Sequence, residues 1–71
     1  MSIGLTSKQE EVLDYIREYK EENGYTPTFK EIQERFRYSS VSSAWGCVQA
    51  LRKKNFVDVM SNVARGIRLK D

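Results

Sequence analysis

Two segments that each begin with a threonine determine where helices of this chain start. In Thr6-Ser7-Lys8-Gln9 and in Thr28-Phe29-Lys30-Glu31, a threonine stands three residues before Gln or Glu. This is the capping-box pattern, in which the threonine hydroxyl accepts from a backbone N–H and the longer side chain bonds back to the threonine backbone. The sequence therefore predicts one helix that is capped by Thr6 and a second that is capped by Thr28.

Apolar residues at helical spacing give both helices one buried side. In the first helix these residues are Val12, Leu13, Ile16 and Tyr19, and in the second they are Phe29, Ile32 and Phe36. We expect the first helix to end at Asn23-Gly24, because glycine adopts the left-handed conformation that closes many helices.

A third helix should follow the break at Arg37-Tyr38-Ser39-Ser40. Ser40 is suited to cap it, and the helix should run to about Lys54. Its predicted buried stripe consists of Ala44, Cys47, Val48 and Leu51. Asn55 can take the left-handed position after the helix in place of glycine.

The last part of the chain has the alternation of half-buried strands. Phe56–Met60 and Arg65–Leu69 alternate apolar and polar residues with a period of two, and Ser61-Asn62-Val63-Ala64 would join them as a hairpin loop. The predicted fold is mainly α with a small β-hairpin. It is a winged helix-turn-helix of three helices plus a two-stranded antiparallel wing.

Composition excludes several classes of protein. The 71 residues of the chain suffice for one domain, residues 1–71. With no histidine and one cysteine, the chain cannot form a Cys/His zinc site, an internal disulfide or a histidine-dependent catalytic triad. No apolar run approaches the roughly 18 residues of a membrane span. We therefore expect a cytoplasmic binding protein that is not an enzyme and has no metal or other cofactor.

Charge is divided unevenly along the chain. Residues 1–34 contain four basic and eight acidic residues, a net charge of −4, whereas residues 35–71 contain eight basic and two acidic residues, a net charge of +6. A basic half suggests a polyanionic partner, although a small protein can also divide its charges this way without one. If the partner is DNA, we expect phosphate contacts from Arg52, Lys53, Arg65 and Arg68.

The third helix would turn one face away from the core. At about 100° per residue, with the buried stripe inward, this face holds Ser42, Gly46, Gln49 and Lys53, with Ser43 and Trp45 at its edges. Serine and glutamine can bond to base edges, and the face contains no carboxylate. The alternative is an ordinary solvated helix face, which usually includes glutamate.

Three residues of the basic half each allow a structural and a functional interpretation. Gly46 costs about 1 kcal/mol in a helix relative to alanine, so it indicates close approach by DNA or close packing against another helix. Trp45 could cover the core, or it could contact a thymine methyl or a sugar. Arg65, followed by Gly66, could project to a phosphate or into the minor groove, or it could simply keep the hairpin edge soluble.

Three segments of the chain together resemble the amino-terminal DNA-binding domain of the LexA repressor family. They are Leu5-Thr6…Gln9…Glu11-Val12, Gly24-Tyr25-Thr26-Pro27-Thr28…Glu31-Ile32 and Ala64-Arg65-Gly66-Ile67-Arg68-Leu69. The resemblance implies a winged helix-turn-helix that binds operator DNA as a dimer and represses transcription. By position it implies DNA contacts from Ser40, Ser42, Ser43, Trp45 and Gly46.

The departures from the family pattern lie on the DNA-facing positions. LexA repressors commonly carry two adjacent glutamates where this chain has Trp45 and Gly46, an asparagine where it has Ser42, and a turn glycine where it has Arg37. The family's self-cleaving and dimerising domain does not occur in these 71 residues. The chain is thus interpreted as an excised domain or as a small free-standing relative.

The function that we expect is sequence-specific binding of double-stranded DNA by a LexA-like transcriptional regulator, acting as a repressor. Two copies would pair on a two-fold-symmetric operator, with no membrane or metal involved. The alternative is a winged-helix module that docks a partner protein through its third helix, with Trp45 as the anchor. Steep loss of DNA affinity with salt would distinguish the first function from the second.

Overall fold

The computed structural model describes residues 4–70 and contains three helices followed by a two-stranded sheet. The elements are α1 (Ser7–Asn23), α2 (Phe29–Phe36), α3 (Val41–Lys53), β1 (Val57–Val59) and β2 (Ile67–Leu69). α3 packs against α1, α2 and β1. The predicted fold class and the predicted order of elements are confirmed.

Both predicted capping boxes are present. The Gln9 N–H donates to the Thr6 hydroxyl oxygen at 3.2 Å, and the Thr6 N–H donates to Gln9 Oε1 at 3.2 Å. At α2, the Glu31 N–H donates to the Thr28 hydroxyl oxygen at 3.1 Å, and the Thr28 N–H donates to Glu31 Oε1 at 2.8 Å. Each box satisfies two backbone N–H donors at a helix start, which is why the sequence located both starts correctly.

Ser40 occupies the N-cap position of α3, but the prediction that its side chain caps the helix is wrong. Its backbone is extended, with φ −153° and ψ 161°, and no side-chain hydrogen bond caps the helix. The Ser43 N–H, which a capping hydroxyl would bind, donates instead to the Ser40 carbonyl at 3.2 Å. The helix ends at Lys53, and Asn55 takes the predicted left-handed conformation with φ 67°.

One apolar core joins the helices to the sheet. Its buried residues are Val12, Leu13, Ile16, Ile32, Ala44, Val48, Leu51, Val57 and Ile67. Four residues that we predicted on the buried stripes are only half-buried: Tyr19, Phe29, Phe36 and Cys47. A small domain has too little mass to cover every residue of its apolar stripes.

The hairpin is antiparallel, and its paired strands are shorter than the predicted Phe56–Met60 and Arg65–Leu69. The register places Val57 opposite Leu69, Asp58 opposite Arg68 and Val59 opposite Ile67. At the loop, the Met60 N–H donates to the Gly66 carbonyl at 2.8 Å. A Cβ on Gly66 would lie 2.4 Å from the Met60 carbonyl oxygen, so this turn requires glycine for lack of space.

No helix within residues 4–70 is long and apolar enough to cross a membrane. In the same part of the chain, no group of three or more His, Cys, Asp or Glu residues is placed to hold a metal ion.

Candidate nucleic-acid interface

The side of α3 that the sequence predicts to face away from the core does so in the structure. Ala44, Val48 and Leu51 are buried, and the opposite side of the helix faces solvent. We call this side the recognition face; it consists of Ser42, Ser43, Trp45, Gly46, Gln49, Arg52 and Lys53. All of these residues are exposed except Gln49, which is half-buried, and no residue of α3 is acidic.

Trp45 packs on the edge of the core, as one of its two interpretations predicts, while its contact with DNA stays a prediction. Its indole ring packs on Phe29 at the start of α2, with 4.9 Å between ring centroids and 58° between ring planes. Even so, 46% of Trp45 remains exposed. The ring is therefore packed against α2 on one part of its surface and open to solvent on the rest.

Gly46 has open space on its outer side. A Cβ built on Gly46 would have no neighbouring atom within 4 Å. Close packing against another part of residues 4–70 therefore does not explain the glycine. Helix propensity disfavours glycine here by about 1 kcal/mol, and the close approach of DNA to Gly46 stays a prediction.

The recognition face continues onto the hairpin. A depression of about 370 Å³ lies between α3 and the wing, lined by Trp45, Gln49, Arg52, Lys53, Val59 and Ser61. Val59 and Ser61 were not among the predicted site residues. Neither residue is charged. They belong to the site because the hairpin places them beside α3, and a local sequence pattern cannot predict that placement.

Two members of the recognition face bond to each other. The Arg52 Nε–H donates to Gln49 Oε1 at 3.0 Å, across one turn of α3. Lys53 points into the same depression, whereas the adjacent Lys54 does not line it. The Lys54 ammonium donates instead to the Gly4 carbonyl and to Gln9 Oε1. The two adjacent lysines thus lie on different sides of the molecule.

Arg65 does not project from the wing, and the expectation that it does so is wrong. Its guanidinium donates to Glu31 Oε1 at 2.8 Å and Oε2 at 3.1 Å, and to the Thr26 carbonyl at 3.0 Å. The guanidinium carbon lies 4.5 Å from the centre of the Tyr25 ring, and Tyr19 donates its hydroxyl to Glu31 at 3.1 Å. We call these five residues the Arg65 cluster. A phosphate that binds Arg65 would have to compete with Glu31 for the guanidinium.

The Arg65 cluster changes the acidity of its own members. The hydrogen bond from Arg65, with a second from the Thr28 backbone, lowers the pKa of Glu31 from 4.5 to about 2. The same bond to Glu31 raises the pKa of Arg65 above its ordinary value. Both groups therefore stay charged at neutral pH, and the ion pair connects the wing to the start of α2.

Arg68 and Ser40 lie outside the recognition face. Arg68 is exposed on β2 opposite Asp58, and with Lys20 it lines a separate depression of about 430 Å³ beside the end of α1. Ser40 is exposed just before α3. DNA contact by these two residues stays a prediction, as it does for the residues of the recognition face.

Comparison with known proteins gives one family. The model of the LexA DNA-binding domain matches residues 2–66. LexA repressors of Hahella chejuensis and Cellvibrio japonicus are 45% and 42% identical to the chain over 67 residues, which are 94% of the chain and 34% of either relative. A LexA repressor of Marinomonas sp. is 42% identical over 69 residues, which are 97% of the chain and 33% of that protein. The chain thus spans about a third of the length of the curated relatives that it matches.

Proposed function

Because this chain belongs to the LexA DNA-binding domain family, we propose that it binds double-stranded DNA sequence-specifically and represses transcription. The observation that carries the proposal is the recognition face: an exposed helix side without carboxylates, bordered by Arg52 and Lys53 and continued by the wing. An α-helix is about 10–12 Å wide and the major groove is about 12 Å wide. With DNA as the partner, we propose the cytoplasm as the compartment.

The residues of the recognition face divide into two roles. Ser42, Ser43, Trp45, Gly46 and Gln49 lie on the amino-terminal and middle turns of α3, where a helix in the major groove meets base edges. Arg52 and Lys53 lie at the end of α3, and we assign them to phosphates that flank the groove. We leave Arg65 out of the interface, because its guanidinium is bound to Glu31.

We also propose that two copies pair on a two-fold-symmetric operator while the free domain is a monomer. One recognition helix covers too few base pairs for tight specific binding, and two helices can enter successive major grooves about 34–36 Å apart. Sedimentation at micromolar concentration should show a monomer without DNA and a two-to-one complex with a symmetric duplex. A stable dimer without DNA would contradict the proposal.

The decisive experiment for function is a titration against duplex DNA at several salt concentrations. Selection from a random duplex pool supplies the preferred sequence, and an unrelated duplex of equal length is the control. We expect the affinity for both to fall steeply with salt, and the preferred duplex to bind at least about 10³-fold more tightly. A chain that binds neither duplex, or binds both equally, would contradict specific DNA binding.

Docking of a partner protein is the second candidate function, and the exposure of Trp45 is the observation that favours it. Aromatic residues at the centre of a surface patch are frequent anchors of protein interfaces. Trp45→Ala separates the two candidates when DNA binding is measured. A DNA-binding role predicts an altered sequence preference, whereas a purely protein-docking role predicts no preference to alter.

A further inference from the structure

The bond between Arg52 and Gln49 orients the amide of Gln49. Because Oε1 accepts the Arg52 Nε–H at 3.0 Å, the amide oxygen faces Arg52 and the NH2 group faces away from it. The same guanidinium has four further N–H donors on its two terminal nitrogens. The pair therefore presents a row of hydrogen-bond donors from one turn of α3.

Its neighbours on the recognition face reinforce this donor character. Trp45 and Lys53 supply donors only, through the indole N–H and the ammonium. No residue of Val41–Lys53 is acidic, so α3 offers no carboxylate acceptor. The other side-chain acceptors on the recognition face are the hydroxyl oxygens of Ser42 and Ser43, at the opposite end of the helix.

The four bases differ in what they present to such a row of donors. In the major groove guanine presents two adjacent acceptors, O6 and N7, whereas adenine presents one acceptor and one donor, and cytosine presents an amino donor. A free glutamine binds adenine well because its oxygen and its NH2 group pair with both atoms. A glutamine whose oxygen is already engaged loses this advantage.

We propose that Gln49 and Arg52 act as one unit that selects guanine at one position of each operator half-site. This inference rests on the proposed DNA-binding function and specifies the base that the second half of α3 recognises. Gln49 donates to one guanine acceptor through its NH2 group, and Arg52 donates to the other through a free N–H. Arg52 is then a specificity determinant as well as a cation near phosphate.

The test compares guanine with adenine at each position of the preferred duplex, using the whole chain. At one position per half-site, we expect adenine to lower the affinity of the unmodified protein by about tenfold. At that position 7-deazaguanine, which lacks the N7 acceptor, should also weaken binding. If every guanine tolerates both replacements, the inference is overturned.

Arg52→Ala gives the sharper result, because it frees the Gln49 oxygen. Loss of the positive charge should weaken binding to every duplex, but the preference for guanine over adenine at that position should fall towards one. Lys53→Ala is the matched control, since it removes an equal charge from the same depression and should leave the preference unchanged. Equal preferences in both variants would overturn the inference while leaving DNA binding intact. Absence of binding to any duplex by the unmodified protein would overturn the proposed function and this inference with it.

Discussion

The Arg65 cluster and the recognition face both carry arginine from the basic half of the chain, and they use it in opposite ways. Arg65 reaches a carboxylate, a carbonyl and an aromatic ring, so its donors are bound within the protein. Arg52 reaches only the uncharged Gln49, and Lys53 has no acidic partner within residues 4–70. The charge of Arg65 therefore serves folding, whereas the charges of Arg52 and Lys53 stay available for a polyanion.

The largest expected effect is a loss of stability on substitution of Gly66, which precedes β2 next to Arg65. In Gly66→Ala the new Cβ would lie 2.4 Å from the Met60 carbonyl oxygen and 3.1 Å from that of Val63. Both are backbone atoms of the hairpin loop, so the loop must shift. We expect the free energy of unfolding to fall by about 2 kcal/mol, as measured by urea denaturation. A change below about 0.5 kcal/mol would show that the wing is not rigidly held.

The second largest effect should distinguish Lys53, which faces the depression, from Lys54, whose ammonium is bound within the protein. In Lys53→Ala, the slope of log K against log salt for DNA binding should fall by about one unit in magnitude. At 0.1 M salt this corresponds to binding about eightfold weaker than that of the unmodified protein. Lys54→Ala removes the same charge from the neighbouring position and is the matched control, because its ammonium is held by Gly4 and Gln9. Equal changes in slope for the two variants would contradict the proposed position of the DNA.

The same measurement of salt dependence in Arg65→Gln tests whether the Arg65 cluster contacts DNA. We expect this variant to be less stable to urea than the unmodified protein but to keep its slope of log K against log salt, because the guanidinium is bound to Glu31 rather than to phosphate. A slope reduced by about one unit would show that Arg65 leaves the cluster to contact DNA.

The ion pair of the Arg65 cluster should also be visible in the pH dependence of stability. Glu31 has a folded-state pKa of about 2 against an ordinary value of 4.5, so its contribution is complete above pH 4.5 and is lost as the pH falls towards 2. Glu31→Gln should lower stability at pH 7 by an amount on the order of 1 kcal/mol and flatten the dependence between pH 5 and 2. The exposed Glu34 on the same helix provides the control variant, Glu34→Gln, whose loss at pH 7 should be smaller. An unchanged pH dependence in Glu31→Gln would contradict the assigned role.

The smallest effect should have the opposite sign and come from the recognition face. Gly46→Ala places a methyl group where no atom lies within 4 Å, and alanine is the better helix former. We expect a gain in unfolding free energy of about 0.5–1 kcal/mol by urea denaturation, together with a changed DNA preference. A loss of stability would show that Gly46 serves the fold rather than the interface.

Local patterns predicted most of the fold because its helix boundaries are set by residues close in sequence. The Thr6 and Thr28 capping boxes and the left-handed Asn55 each depend on neighbours within a few positions. The recognition face followed from helical geometry once the buried stripe was known. The Ser40 cap failed because the Ser43 N–H had an equally local alternative, the Ser40 carbonyl.

The Arg65 cluster could not be predicted in this way. Its two charged members are Glu31 and Arg65, which lie at the start of α2 and before β2, and Glu31 already had an assigned role in a capping box. Only the packing of the wing against the loop between α1 and α2 brings them together. The same holds for Val59 and Ser61, which join the depression through the position of the hairpin.

The buried hydroxyl of Thr26 also affects how the wing meets other chains. It donates to the Ile67 carbonyl at 2.6 Å, and because the adjacent Gly66 carbonyl faces β1, this Ile67 acceptor lies on the outer edge of β2. An open edge of this kind is a template on which a strand from another molecule can add, which leads to aggregation. The loop before α2 occupies the acceptor from within the same chain. One acceptor on the outer edge of β2 is thereby closed to a strand from a second copy of the chain.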